Sequence, residues 1–157
     1  MQVEVTRSER RKKTVQARVL DGVLKIAIPA HMTAAEEAHW VEVMHGRLAL
    51  QRDTDAIDLE ESATRLARDH DLPVPAKIEW SNRQNTRWGS TTSGTRHIRI
   101  SSRLAMYPRW VVDYVVVHEL AHLVEPNHGP EFWSLVDRYD RAERARGYLI
   151  AKADGLS

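Results

Sequence analysis

His118 and His122 stand four residues apart in the run Val115–Trp133, VVVHELAHLVEPNHGPEFW, and Glu119 follows the first of them. On a helix that spacing sets two side chains about 40° apart around the axis and about 6 Å apart along it. Both imidazoles can therefore turn toward one ion. Neutral imidazole nitrogen suits Zn²⁺, and a catalytic zinc site takes three protein ligands while a fourth position stays open to water. Glu119 then points beside the ion rather than at it, which is where a general base for that water belongs.

A third ligand is needed. His128 lies six residues after His122, and the intervening Glu125-Pro126-Asn127 reads as a helix stop. Pro126 has no N–H and moves Glu125 out of the α region, while Asn127 tolerates positive φ. A chain that turns back there can carry His128 to the open side of the ion. The rival is a carboxylate from a later helix, Glu131 or Glu143; the reading adopted is His128. Without a metal, the pair would have to be core histidines satisfied by protein partners. The approach to it is strongly apolar (Trp110, Val111, Tyr114, Val115, Val117), and polar groups in such a helix cost stability unless something pairs with them.

The elements around this run follow from patterning. Pro108 suits the first position of a helix that runs to about Val124. Gly129-Pro130 opens another, whose Phe132, Trp133 and Val136 should pack near the site, and residues 140–153 read as a charged terminal helix interrupted at Gly147. Upstream, Ile78 and Trp80 alternate as a strand, Ser81–Asn85 is a polar loop, and Thr86–Thr92 and Thr95–Ser101 are two β-like runs around Ser93-Gly94. A glycine inside a strand pattern marks a bulge or a close approach. Gly89 is such a glycine, so Arg87, Trp88, Gly89 and Ser90 are candidates for the wall of a substrate groove.

Nearer the N-terminus, residues 2–7 alternate as a strand, and Thr14–Leu20 and Val23–Ile28 flank Asp21-Gly22, a strong hairpin signal. That register faces Val19 with Leu24, Ala17 with Ile26 and Val15 with Ile28, making one face apolar. Thr33 to Glu36 is a capping box for a helix to about Leu50, with Trp40, Met44 and Leu48 along one stripe. A second helix starts near Asp58, presents Leu59, Ala63, Leu66 and Ala67, and ends at Leu72-Pro73. Pro73-Val74-Pro75 is too short a connector to separate domains. The expectation is one domain over 1–157: a β-hairpin region at 1–30, a helical pair at 33–72, strands at 77–101 and zinc-site helices at 108–157.

Composition narrows the chemistry. The 157 residues carry a formal net charge of +1 and no cysteine, so disulfides and thiolate ligands are excluded. Bulk attraction to nucleic acid or membrane is not implied, although residues 72–110 carry +6 against −6 for residues 33–71, which leaves an anionic partner open. The charged N-terminus is unlike a signal peptide and no stretch reaches transmembrane length, so the expected location is cytoplasmic, with no membrane partner.

The early Arg-Ser-x-Arg-Arg run, the hairpin ending in Pro29, Arg87-Trp88-Gly89-Ser90, Val-Val-His-Glu-Leu-Ala-His and Asn127-His128-Gly-Pro-Glu-Phe-Trp133 together resemble the YgjP-like zinc metallopeptidases. These are zincins related to the SprT-like and WLM families. The resemblance implies an α+β fold, a zincin-like domain with an N-terminal β-hairpin sheet, a small mixed sheet and an active-site helix. It also implies one zinc ion on His118, His122 and His128, with Glu119 catalytic. Two positions depart from the family pattern: Thr91 where a cysteine is often found, and Glu125 in the turn. The histidine spacing also matches that of metzincins. Glu125 stands where their glycine would be, however, and no methionine follows His128, so that assignment is rejected.

The expected function is a zinc-dependent peptidase acting on a peptide or protein extended along Arg87–Ser90, with Tyr107, Tyr114, Tyr148 or Arg87 as the oxyanion donor. One alternative is a SprT-like protease acting on DNA-bound proteins, which the basic 72–110 segment motivates. The other is a non-catalytic zinc-stabilised interaction module, whose fourth ligand would come from protein, with Glu131 the nearest acid in sequence.

Overall fold

The computed structural model describes residues 1–84 and 86–155; Asn85, the last residue of the expected polar loop, and Leu156 and Ser157 lie outside the described residues. Chain contacts divide the protein into two compact units, 1–52 and 53–157.

In the first unit β1 (Gln2–Ser8), β2 (Gln16–Leu20) and β3 (Val23–Pro29) form a sheet in the order β1-β3-β2. The hairpin turns at Asp21 (φ 51°) and Gly22 (φ 76°), the left-handed pair that a two-residue turn demands. Val19 pairs with Leu24 and Ala17 with Ile26, as the alternation predicts, while Val15 falls just before β2 and packs on the same apolar face. The periodicity does not reveal that β1 joins β3 in parallel. Leu24, Ile26 and Ile28 are the buried centre, and helix α1 (Ala34–Asp55) covers them with Val41, Met44 and Leu48. Trp40, expected on that stripe, is half-buried one position away and meets the His39 ring edge-on at 5.5 Å. The capping box is reciprocal: Thr33 N–H donates to Glu36 Oε1 and Glu36 N–H to Thr33 Oγ1, both at 3.1 Å.

The second unit is built around one helix. α2 (Leu59–His70), β4 (Lys77–Ser81), β5 (Gly89–Thr92), β6 (His97–Ser101) and a short 3-10 turn (Ser102–Met106) precede α3 (Arg109–His122); α4 (Pro130–Val136) and α5 (Ala142–Gly155) follow it. The sheet order is β4-β6-β5, with β4 parallel and β5 antiparallel to β6, so β5 is an edge strand. Helix α3 is apolar on nearly every side because it is covered on nearly every side. Val111, Val112, Val115, Val116, Val117, Leu120 and Ala121 are buried with Ile98 and Ile100 of the sheet and Ala63 and Leu66 of α2.

Several boundaries differ from expectation: α1 runs to Asp55 rather than about Leu50, and β5 begins at Gly89, so Arg87 and Trp88 precede the strand. Pro108 is the N-cap of α3 rather than its first residue, and α5 runs unbroken through Gly147. Gly147 is exposed, and the burial of Ala145 and Leu149 on either side outweighs the roughly 1 kcal/mol that a helical glycine costs. Among the described residues no helix is long and apolar enough to cross a membrane.

Asp58 caps α2 by accepting from Glu61 N–H at 3.1 Å. Asp58→Ala should cost about 1 kcal/mol and lower the thermal midpoint by about 3 °C in differential scanning calorimetry.

Candidate metal centre

The last turn of α3 tightens as it ends. Leu123 N–H donates to Leu120 O at 3.0 Å, and Glu125 N–H to Ala121 O at 2.9 Å. Pro126 then forbids another turn. The reversal needs no left-handed residue at Asn127; among the described non-glycine residues positive φ occurs at Asp21, Asp71 and Arg96. The chain returns with His128 facing the helix, and its Nε2 lies 3.0 Å from Nε2 of His122. One ring nitrogen each from His118, His122 and His128 lies within 4.8 Å of the others.

This set fits a metal ion. Ligands on a tetrahedral ion at Zn–N distances of about 2.0–2.1 Å sit about 3.3 Å apart, close to the spacing of the two Nε2 atoms. His122 Nδ1 donates to Glu125 O at 3.2 Å, which leaves the Nε2 lone pair directed at the cluster. Phe132 stacks on His122 at 4.3 Å between centroids and 22° between planes, and lies 4.9 Å from both His118 and His128. Trp133 stacks on His128 and donates Nε1–H to its carbonyl at 3.1 Å, fixing the returning loop. Burial, with the neighbouring His122, His128 and Arg146, pushes the pKa of His118 down to about 3, and burial lowers that of His122 against the opposing pull of its Glu125 bond. Both imidazoles are thus neutral at physiological pH, the form that binds metal. Glu131 and Glu143, the rival third ligands, are exposed and do not join the cluster.

Glu119 is 4% exposed, on the side of α3 that meets β5. Burial raises its pKa to about 7, against the opposing effects of Thr91 and Arg87. Thr91 Oγ1 lies 3.0 Å from Glu119 Oε2 and 3.1 Å from the Glu119 carbonyl. Its single proton can serve one of these acceptors at a time. It goes to the carboxylate when Glu119 is ionised, and to the carbonyl when Glu119 itself donates from Oε2. Thr91, visible in the sequence only as a departure from a family pattern, is the side chain that holds the glutamate in place. Gly89 gives the close approach its position suggested. A Cβ there would stand 3.1 Å from Glu119 Cγ, 3.2 Å from Arg99 O and 3.3 Å from Val115 Cγ1.

The histidines and Glu119 open onto a cleft of about 810 Å³, whose near wall is Arg87 to Thr91. Trp88 serves two purposes, lining the cleft while packing on the core beneath Arg103, whose guanidinium lies 4.7 Å over its ring. Of the four oxyanion candidates, Tyr114 and Arg87 face the cleft. Tyr107 and Tyr148 instead pack edge-on against each other, 5.4 Å apart, and against Trp88 and Trp110. Arg146 of α5 also reaches the cleft, and no motif pointed to it.

The profile described as "YgjP-like, metallopeptidase domain" matches residues 33–149. The chain belongs to the YgjP-like metallopeptidase family. Two solved structures share the fold of this YgjP-like chain. One is the metallopeptidase zymogen abylysin of Pyrococcus abyssi, 18% identical with a TM-score of 0.54 over 60% of this chain and 94% of that one. The other is the metallopeptidase zymogen jannalysin of Methanocaldococcus jannaschii, 17% identical with a TM-score of 0.53 over 62% and 98%. No curated protein matches the sequence. Family and fold agree with the expected α+β metallopeptidase class.

Two outcomes are expected. Gly89→Ala has backbone on one side and packed side chains on the other, so it should destabilise the protein by about 1–3 kcal/mol, with Glu119 displaced in a crystal structure of the variant. In metal-free protein, a carboxyl whose folded pKa lies above its unfolded value stabilises below the unfolded pKa and loses that contribution as pH rises through about 7. Glu119→Gln removes this loss. Its stability relative to wild type should therefore rise by about 3 kcal/mol between pH 4.5 and 8 in urea titrations.

Proposed function

We propose that this YgjP-like protein is a peptidase with a single zinc ion held by His118, His122 and His128, and that Glu119 is its general base. The observation that carries the reading is the convergence of three imidazoles beside one buried carboxylate, at the floor of an open cleft. Bound there, zinc would supply Lewis acidity, polarising a carbonyl and acidifying water. Glu119 accepts the proton of the attacking water on its carboxylate and returns it to the departing amine nitrogen. Its elevated pKa suits both halves of that exchange near neutrality. Thr91 keeps Oε2 from swinging away, and Gly89 leaves room for the glutamate to lie against the strand.

The substrate backbone is read as pairing with β5, the edge strand that borders the cleft, through main-chain hydrogen bonds. Tyr114, 4% exposed and in contact with the His118 ring, is the favoured hydroxyl for the oxyanion. An interaction module with a purely structural zinc would need a fourth protein ligand. Among the described residues no fourth histidine or carboxylate joins the three.

Zinc titration and peptide hydrolysis test this reading together. Glu119→Gln should still bind about one equivalent of zinc while hydrolysis falls by at least about a hundredfold. Hydrolysis at the wild-type rate would remove Glu119 from the chemistry, and loss of zinc from the variant would make the glutamate a structural residue of the site.

A further inference from the structure

Two cations line the cleft, Arg87 at its exposed mouth and Arg146 reaching in from α5; Glu119 is the one carboxylate among the described lining residues. The Arg146 guanidinium lies 4.6 Å over the Trp133 ring, and its Nε donates to the Tyr114 hydroxyl at 3.4 Å. Its NH2 nitrogen is shut off from solvent and has no hydrogen-bond partner. The carboxylate nearest to it is that of Asp137, 3.6 Å away with a side chain 65% exposed; Glu143, also exposed, acts on it only through space. Such a pair is weak, and a buried N–H with no acceptor carries the cost of its lost hydration. Trp133, beneath the guanidinium, lies 6.0 Å from the His118 ring and 5.9 Å from that of His128. An anion received by Arg146 would therefore sit one aromatic ring away from the imidazoles.

We propose that Arg146 forms a carboxylate-binding subsite, which selects peptides carrying an acidic group close to the scissile bond. The selection rests on the peptidase reading; the binding of the carboxylate does not. The Arg146 side chain, 38% exposed, lines the cleft with its guanidinium over an indole, where a carboxylate can meet it, and the Tyr114 hydroxyl, which accepts from Nε, holds it there while keeping its own proton for the oxyanion. The carboxylate can come from an Asp or Glu side chain or from a free C-terminus. A role confined to anchoring α5 would affect stability and leave carboxylate preference unmoved.

The test uses decapeptides with one Glu or Gln walked along an otherwise neutral sequence, each made as free acid and as C-terminal amide. Binding to metal-free wild type is measured by isothermal titration calorimetry, and cleavage by the zinc-loaded protein. One register should bind at least about tenfold more tightly as the carboxylate than as the amide counterpart. A Glu-over-Gln difference identifies a side chain as the source, and an acid-over-amide difference identifies a terminus. The ratio should fall toward one in Arg146→Gln, survive in part in Arg146→Lys, and increase in Asp137→Asn, which removes the competing carboxylate at an exposed position. A ratio near one in wild type, an unchanged ratio in Arg146→Gln, or no binding of any carboxylate peptide overturns the subsite. Carboxylate-selective binding without cleavage of any peptide would leave the subsite standing and overturn the peptidase reading.

Discussion

Imidazoles gathered in a small volume bind a metal through uncharged nitrogen, and the second unit is arranged to keep His118 and His122 in that form. His118 is pressed among Tyr114, Phe132 and Trp133, and His122 lies flat on Phe132. The apolar bed makes protonation costly, and Arg146 adds to that cost at His118. Residues that look like ordinary core thus set the chemical state of the ligands. Phe132, fully buried and touching all three rings, belongs equally to the fold and to the metal centre.

The carboxylate beside them depends on a different constraint, the separation of strand from helix. At Gly89 a methyl group would press to 3.1–3.3 Å on Glu119, Val115 and the Arg99 carbonyl, so β5 and α3 approach closely there. That closeness brings Thr91, two residues along the strand, within reach of the carbonyl oxygen and Oε2 of Glu119. The sheet accordingly acts as the backing of α3, and the glutamate is clamped from a segment 28 residues away in sequence.

Much of this was legible in the sequence because the signals are local. The i, i+4 histidines, the stop at Pro126, the Asp21-Gly22 turn and the Thr33–Glu36 box each declare themselves within a few residues, and each stands where expected. What periodicity could not supply was partnership across the chain. The parallel pairings of β1 with β3 and of β4 with β6 join segments whose alternation would fit several neighbours. Thr91 gained meaning only when β5 was seen against α3. Arg146, in a helix that reads as charged surface, turned out to lean over Trp133 and into the cleft. Gly147 misled for the opposite reason: a local cost was outweighed by buried neighbours.

An edge strand bordering a cleft is also an invitation to the wrong guest. The outer backbone groups of β5, proposed to take up a substrate, would equally suit the same strand of another copy, which is how open sheet margins seed self-association. Gly89–Thr92 spans four residues and carries no large apolar side chain. So short and polar a ladder offers little to a growing fibre.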